Sequence, residues 1–286
     1  MGVSRGGGGQ RAIFGYGTSN FTNLVSSAGV VSTDVAIVGT ARFGLAAAAY
    51  GTDKAIFGYG NDNTNNISTT NLVSSSGVVA SDTTGVGTVR RSLAAANYGT
   101  DKAIFGYGRA NPDNATAITN KVSNAGVVAS DTTGVGTARY WLTAAGYGAD
   151  KAIFGYGNAN FTNLVSSAGV VSTDVAIVGT ARSGLAAASY GTDKAIFGYG
   201  YGGGYLSITN LVSNSGVVAS NVTGVGTARM DLAAANYGTD KAIFGYGSTG
   251  PNVSVTNLVS NIGVVATDTA GVGTARQQLA ASSYGT

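Results

Sequence analysis

The chain has 286 residues, of which 44% are hydrophobic, and it carries a net charge of +3 with no Cys and no His. The lack of Cys excludes disulfide bonds and thiol chemistry, and the lack of His excludes His-based catalytic triads and His-ligated metal sites. The small net charge does not indicate a nucleic-acid partner, and no apolar run approaches the roughly 18 residues of a membrane helix. We therefore expect neither nucleic-acid binding nor membrane insertion.

The chain opens with the segment MGVSRGGGG, residues 1–9, which has no counterpart later in the sequence. Its four consecutive glycines predict a flexible tail, and the lack of an apolar stretch argues against a cleaved secretory signal. We expect this tail to become ordered only when it docks on a partner, so it is a candidate attachment segment.

Residues 10–286 consist of six copies of one repeat. The phrase AIFGYG recurs at spacings of 43, 48, 49, 43 and 47 residues, beginning at Ala12, Ala55, Ala103, Ala152, Ala195 and Ala242. The spacing varies only in the segment between FGYG and the following TN. The chain ends split the sixth copy, since the final YGT continues into QRAIFGYG near the start of the chain. The repeat closes on itself and predicts a single domain over residues 10–286.

Each copy contains four short strand-like runs separated by turn residues, as the second copy illustrates. Strand A is LAAAAYG from Leu45, and strand B is KAIFGYG from Lys54. Strand C is TNLVSSSG from Thr70, and strand D is VVASDTTGVGT from Val78. No segment has the periodicity of an amphipathic helix, so we expect almost no helix. Four strands in every copy of this length are typical of a β-propeller blade.

The predicted fold is all-β, a six-bladed β-propeller of four-stranded blades in a closed ring. The C-terminal segment QQLAASSYGT is expected to supply strand A to the blade whose other strands begin at Arg11. The N- and C-terminal strands would then pair in one sheet and remove the open edge. An open β-solenoid is the alternative, but an open array needs distinct polar end units, and here the end units look like the middle ones.

The segment ARSGLAAASYGTDKAIFGYG, followed by ITNLVSNSGVVASNVTGVGTAR, resembles a Kelch repeat. As in that family, an Arg precedes a strand of small residues, and a turn and an aromatic-containing strand ending in glycines follow. An Asn-started third strand and a fourth strand complete the unit. The resemblance covers all six copies and implies a propeller that serves as an intracellular platform for protein–protein interactions. Glycine-rich propellers of the chromosome-condensation-regulator type are a second resemblance.

The uniformity of the copies also resembles that of repeats in virion and tail proteins of bacteriophages. This resemblance implies a virion-associated protein on the extracellular particle. Its partner would be a host-surface glycan or protein, or a neighbouring virion protein. The Kelch resemblance implies a cytoplasmic protein instead. Assembly into a homo-oligomer, or attachment through the N-terminal tail, is compatible with either interpretation.

Two places vary strongly between the six copies, whereas the A–B and C–D turns hardly change. One is the loop between strands B and C, and the other is the residue pair after the Arg that precedes strand A. In an up-and-down blade both places lie at the same end, so the sequence predicts one variable face. Free drift of exposed loops is the alternative, but drift would change the other turns as well.

The variable face is predicted to be a recognition surface, because aromatic and Arg side chains are the usual anchors of interfaces. Aromatic rings beside Asn and Asp also suit sugar rings. The predicted ligand-binding residues are Phe43, Asp62, Arg91, Arg109, Asp113, Tyr140, Trp141, Tyr201, Tyr205, Met230, Asp231, Gln277 and Gln278. We further expect Tyr140 and Trp141 to neighbour a B–C loop, either residues 61–69 or residues 109–118.

Charged residues that recur once per copy are interpreted as structural. An Arg precedes strand A in every copy and is expected to brace neighbouring blades, at Arg42, Arg90, Arg139, Arg182, Arg229 and Arg276. An Asp recurs in strand D of five copies, at Asp34, Asp82, Asp131, Asp174 and Asp268. The fifth copy has Asn221 in that position.

The sequence does not predict catalysis. All 13 acidic residues are Asp, and those on the variable face, Asp62, Asp113 and Asp231, belong to different copies with nothing that pairs them for glycoside hydrolysis. The segment NDNTNN at Asn61 comes closest to a calcium loop, and it is interpreted as a polar loop. We expect a non-enzymatic binding or structural module with no cofactor and no metal site.

Overall fold

The computed structural model describes residues 11–285, so the tail predicted over residues 1–9 lies outside the described residues. The described chain forms strands and turns, and none of it is a helix able to cross a membrane. The strands are β1 (Arg11–Tyr16), β2 (Phe21–Val25), β3 (Val35–Ala36), β4 (Ala46–Tyr50), β5 (Lys54–Asn61), β6 (Asn66–Val73), β7 (Arg90–Arg91), β8 (Ala94–Tyr98), β9 (Lys102–Gly106), β10 (Arg109–Ala110), β11 (Asn114–Ala115), β12 (Thr119–Val122), β13 (Thr143–Tyr147), β14 (Lys151–Gly155), β15 (Phe161–Val165), β16 (Val175–Ala176), β17 (Ala186–Tyr190), β18 (Lys194–Tyr201), β19 (Tyr205–Val212), β20 (Ala233–Tyr237), β21 (Lys241–Gly245), β22 (Thr256–Val259) and β23 (Ala280–Tyr284).

Six antiparallel sheets, one per repeat copy, make up most of the fold, and we number them units 1 to 6. In order of the units, they are β23-β1-β2-β3, β4-β5-β6, β8-β9-β12, β13-β14-β15-β16, β17-β18-β19 and β20-β21-β22. A further small sheet joins β7, β10 and β11. The all-β class predicted from the sequence is confirmed.

The two ends of the described chain lie in one sheet. β1 pairs antiparallel with β23, with Arg11 opposite Tyr284 and Gly15 opposite Ala280. The first strand of each sheet also contacts the first strand of the next, in the order β4, β8, β13, β17, β20, β23 and back to β4. The terminal pairing expected from the split sixth copy is therefore present, and the contacts between units run in a closed cycle.

The fourth strand of each unit is less regular than predicted. The stretch from Val78 is not a continuous strand, and it meets β6 at isolated bridges such as that between Thr83 and Thr70. Within residues 11–285, a two-residue fourth strand forms in units 1 and 4 alone, as β3 and β16. The ladder breaks because the Asp82 side chain takes hydrogen bonds from neighbouring polar groups and because Gly87 turns the backbone at a φ of +78°.

The second strand of each unit is buried on both faces, which explains why AIFGYG is repeated. In β5 every residue after Lys54 is buried, because sheets of neighbouring units cover both faces of the strand. The ring of Phe57 packs so closely on Gly15 of unit 1 that a Cβ there would lie 2.7 Å from it. Phe57 also meets the Tyr16 ring edge-on, with 5.2 Å between centroids. Equivalent contacts recur between all neighbouring units, including units 6 and 1.

The repeated arginines are buried and lie between units. Cζ of Arg42 lies 4.3 Å from the ring centroid of Tyr16 in unit 1, and its Nη2 donates to Oδ1 of Asn71 in unit 2 at 2.6 Å. Each equivalent Arg stacks on a Tyr and donates to the Asn of the next unit in the same way. A buried guanidinium is stabilised by such combined cation–π and hydrogen-bond contacts. Loss of one Arg would leave the polar groups of two units unpaired.

Candidate functional site

The structure brings the two variable parts of a unit together. In unit 2 the backbone of Phe43 exchanges two hydrogen bonds with that of Asn61, at 3.0 and 2.9 Å. The residue after the repeated Arg thus pairs with the B–C loop, and an equivalent pair forms between Met230 and Ser248 in unit 6. We call the surface made by the B–C loops and the residue pairs that follow the repeated arginines the variable face.

One cluster on the variable face contains Arg91, Arg109, Asp113, Tyr140 and Trp141. Oδ1 of Asp113 lies 3.3 Å from Nη2 of Arg91 and 3.2 Å from Nε of Arg109. Cζ of Arg109 lies 5.0 Å from the Tyr140 ring centroid, and that ring meets the Trp141 ring edge-on at 4.9 Å. Tyr140 and Trp141 therefore neighbour the B–C loop of unit 3, one of the two loops expected from the chain direction.

This cluster is both ordered and accessible. Its two guanidinium groups share one carboxylate, so the cluster keeps one net positive charge. Trp141 is 40% exposed, and the salt bridges link both Arg side chains to Asp113 of the B–C loop. Aromatic and Arg side chains that are already ordered lose less conformational entropy on binding.

The other predicted residues are spread along the variable face. The rings of Tyr201 and Tyr205 lie 5.6 Å apart on the hairpin of β18 and β19, and both are partly exposed. Asp62 instead serves its own loop, because its Oδ1 accepts the N–H groups of Asn65 and Thr64 at 2.7 and 2.9 Å. These hydrogen bonds lower the pKa of the Asp62 carboxyl. Asp62 is therefore a loop-stabilising residue in this structure.

Gln277 lies beside the B–C loop of unit 1. Its backbone carbonyl accepts the N–H of Thr18 at 3.1 Å, and its own N–H donates to Oγ1 of Thr18 at 3.4 Å. Asn252 of unit 6 also donates to this Thr18 hydroxyl, at 3.4 Å. The loops of units 6 and 1 therefore meet on the variable face.

Six residues, each directly before the Leu that opens strand A, form a ring of backbone hydrogen bonds. The N–H of Ser92 donates to the carbonyl of Gly44 at 2.7 Å, and the N–H of Trp141 donates to that of Ser92 at 2.9 Å. The N–H groups of Gly184, Asp231 and Gln278 each donate to the carbonyl of the preceding member in the same way. The N–H of Gly44 closes the ring by donating to the carbonyl of Gln278 at 2.9 Å. We call this closed set the mouth ring: Gly44, Ser92, Trp141, Gly184, Asp231 and Gln278.

All six residues of the mouth ring have left-handed backbone, with φ between 53° and 62°. Gly adopts this conformation freely, whereas other residues bear a cost of about 1 kcal/mol. Four positions nevertheless carry Ser, Trp, Asp or Gln. The sequence prediction included Trp141, Asp231 and Gln278 but missed Gly44, Ser92 and Gly184. The sequence feature that could have identified these three residues is their fixed position directly before the repeated Leu of strand A.

A cavity of about 130 Å³ opens inside the mouth ring. Alanines of the first strands form its walls, and a second cavity of about 40 Å³ lies farther along the same strands. Asp231 stands at the rim, and its Oδ2 accepts a hydrogen bond from Nε2 of Gln278 at 3.3 Å. Burial raises the pKa of the Asp231 carboxyl, and this hydrogen bond opposes the rise only in part. The rim therefore offers a carboxylate and an amide above apolar walls, and Trp141 belongs to the same lining.

No protein-family model matches the chain, and a search of curated proteins finds no significant match. In the part of the chain that the structure describes, no group of three or more His, Cys, Asp or Glu side chains comes together as a metal site. The variable face is therefore the part of the molecule whose chemistry indicates a function.

Proposed function

We propose that the six units form a six-bladed, Kelch-like β-propeller that acts as a non-enzymatic recognition module. The order of contacts supports a ring, since the first strands and the mouth ring both return to their starting unit. The pairing of β1 with β23 supports closure through the chain ends. Such a ring is a rigid scaffold on which the loops of one face can change without altering the core.

One observation carries the recognition role, namely that differences between the units concentrate on the variable face. The buried Arg–Tyr–Phe contacts and the A–B and C–D turns repeat from unit to unit. On the variable face, by contrast, Tyr140 and Trp141 stand beside Arg109 in one unit, and Tyr201 stands beside Tyr205 in another. Aromatic and Arg side chains carry most of the binding energy of interfaces.

The ligand that we propose is a glycan or protein on a host surface, recognised by a virion-associated phage protein. The resemblance of these uniform repeats to those of virion and tail proteins supports this setting. Exposed aromatic rings beside Asn, Asp and Arg side chains suit sugar rings, which have one apolar face and many hydroxyl groups. A neighbouring virion protein is the other partner that the same face would fit.

The test is the double substitution of Tyr140→Ala and Trp141→Ala in the full chain. The double variant should bind host cells, or an array of host-surface glycans, more weakly by about 2 kcal/mol, as truncated hot-spot aromatics do. Its melting temperature should stay close to that of the wild type, because both side chains lie on the surface. Binding assays and thermal melting measure the two effects.

A matched control changes the opposite end of the molecule, with Thr52→Ala and Asp53→Ala in an A–B turn. This control should lower stability slightly, since it removes the ion pair of Asp53 with Lys54, and it should leave binding unchanged. A variant at 140 and 141 that binds normally but unfolds more easily would contradict the proposal. Binding to intracellular proteins with no binding to host surfaces would favour the cytoplasmic Kelch-like alternative.

A further inference from the structure

The mouth ring holds a carboxylate that has no cationic partner. Among the described residues, the Asp231 side chain has one polar partner, Nε2 of Gln278 at 3.3 Å, and it forms no ion pair. Asp231 is partly buried at the rim of the alanine-lined cavity. Withdrawing a charge from water is costly unless an opposite charge compensates for it. A cation is therefore the complement that this rim lacks.

The Asp231 carboxylate lies close to the backbone of a glycine in the mouth ring. Gly184 lies between Trp141 and Asp231 in the mouth ring, because its N–H donates to Trp141 and its carbonyl accepts the N–H of Asp231. Oδ1 of Asp231 leans over Gly184 and lies 2.9 Å from the place where a Cβ of residue 184 would be. Because residue 184 has no side chain, the Asp231 carboxylate can take this position at the mouth of the cavity.

The residues at this part of the cavity mouth suit a cation. The face of an indole attracts a cation through its π electrons, and a carboxylate forms charge-assisted hydrogen bonds with an ammonium group. Trp141, Gly184 and Asp231 all line the same cavity. Gln278, by donating to Oδ2 of Asp231, holds the carboxylate in its orientation at the rim.

The backbone supplies an independent argument. Trp141 and Asp231 have φ angles of 55° and 54° at positions where units 2 and 5 have Gly44 and Gly184. Gly would avoid the backbone strain at each position. Strained backbone that persists in bulky or charged residues is typical of ligand-binding positions.

We propose that the Asp231 carboxylate above Gly184, at the mouth of the cavity that Trp141 also lines, binds a protonated primary amine. The proposal rests on the recognition function proposed above and names the chemical class of its ligand. Amino sugars and lysine side chains both carry this group, so the ligand could be supplied by a glycan or by a protein.

The fluorescence of Trp141 provides a direct readout, because it is the single Trp of the chain. The wild-type protein is titrated with glucosamine, with N-acetylglucosamine and with Nα-acetyl-lysine amide. At least one of the two amines should change the fluorescence saturably. N-acetylglucosamine should not, because acetylation removes the charge. The tighter of the two amines identifies the source as a sugar or a protein.

Two substitutions test the geometry. Asp231→Asn removes the charge with little change of shape and should weaken amine binding about tenfold, which is about 1.4 kcal/mol, because a charge-assisted hydrogen bond is lost. Gly184→Ala would place a Cβ 2.9 Å from Oδ1 of Asp231 and displace the carboxylate, so it should weaken binding by a similar factor. The matched control is Gly44→Ala. Gly44 has nearly the same φ as Gly184, 62° against 61°, but a Cβ there would meet no atom closer than 3.4 Å.

The Gly44→Ala variant should bind the amine as tightly as the wild type does. Melting curves of the two Gly variants measure the stability that each one loses to the added backbone strain. Three results would overturn the amine site: equal affinity for glucosamine and N-acetylglucosamine, equal loss of binding in the two Gly variants, or no saturable change with either amine. A protein that binds host cells or glycans but neither amine contradicts this inference alone. A protein that binds none of these probes contradicts the proposed function as well.

Discussion

At the scale of single residues, the repeated Asp of the fourth stretch shows how one carboxylate links two units. Oδ2 of Asp82 accepts the hydroxyl of Thr40 from the preceding unit at 2.6 Å, and its Oδ1 accepts Nδ2 of Asn71 at 2.9 Å. Burial by itself raises the pKa of Asp82. The hydrogen bonds from Thr40 and Asn71 and the charge of Arg42 outweigh that effect and lower the pKa. The ionised carboxylate is therefore the form that stabilises the contact.

Unit 5 offers a natural exception, because Asn221 occupies this position and donates its Nδ2 to Oγ1 of Thr180 at 2.8 Å. Asn221→Asp should raise the free energy of unfolding by about 0.5 kcal/mol at neutral pH, a small gain because the position is exposed to screening water. An Asp carboxyl at position 221 has a lowered pKa in the folded protein. The gain in the free energy of unfolding is therefore present above the unfolded pKa of about 4, and it is lost as the pH falls through the folded pKa.

Denaturant unfolding of this variant at neutral and at acidic pH measures the effect. The reverse substitution, Asp82→Asn, is the matched control and should lose a comparable amount of stability over the same pH window. A gain for Asn221→Asp that persisted below the folded pKa would show that ionisation is not its cause.

At the scale of elements, the second strand of each unit depends on close contact between Phe and Gly. A Cβ on Gly106 in β9 would lie 2.7 Å from the ring of Phe154 in β14. Phe154 is fully buried and meets the Tyr107 ring edge-on at 5.1 Å. Because interiors are close-packed, this ring has little space into which it can withdraw.

Gly106→Ala should therefore lower the free energy of unfolding by about 1–3 kcal/mol through overpacking. The matched control is Gly204→Ala on the hairpin of β18 and β19, where a Cβ would meet nothing within 4 Å. This control should stay within about 0.5 kcal/mol of the wild type. Thermal and denaturant unfolding distinguish the two variants, and equal effects would rule out the Phe contact as the reason for Gly at position 106.

At the scale of the whole molecule, the units contact one another in a cyclic order that includes both ends of the described chain. β23 completes unit 1, and the side chains of Leu279 and Tyr284 are buried there. The sequence at the chain ends, read as YGTQRA, has the same length as the phrase YGTDKA in other A–B turns. The opening of the chain thus falls in a turn that the other units keep continuous.

Truncation after Arg276 should abolish cooperative unfolding or greatly lower its midpoint. The deleted segment includes two large buried side chains, whose loss alone costs more than about 5 kcal/mol, comparable with the whole stability of a domain. Calorimetry and circular dichroism measure the transition. A truncated chain that melts like the full-length protein would contradict a closed ring.

The control for truncation is a circular permutant that joins Thr286 to Gln10 and opens the chain between Ala149 and Asp150. The permutant keeps every strand and moves the opening to the A–B turn of unit 4. It should melt within a few degrees of the wild type. A permutant that fails to fold would mean that the native opening has a role of its own.

The repeat, the β class, the pairing of the chain ends and the contact between the two variable parts of a unit could be predicted from the sequence. They depend on turn chemistry, short-range periodicity and the order of strands, which are local and recur in every unit. The prediction of a continuous fourth strand was wrong. The backbone near Asp82 and Gly87 depends on contacts with residues of other units. Such contacts cannot be read from the sequence of a single copy.

Only the tertiary structure decided the details of the candidate site. It showed that Arg109 stacks on Tyr140, that Asp62 is engaged by its own loop, and that Asp231 leans over Gly184. The mouth ring likewise cannot be predicted from the sequence, because each of its hydrogen bonds joins residues from different units. Residue types and their spacing reveal which positions vary, but the distance between two side chains from different units depends on how neighbouring sheets pack.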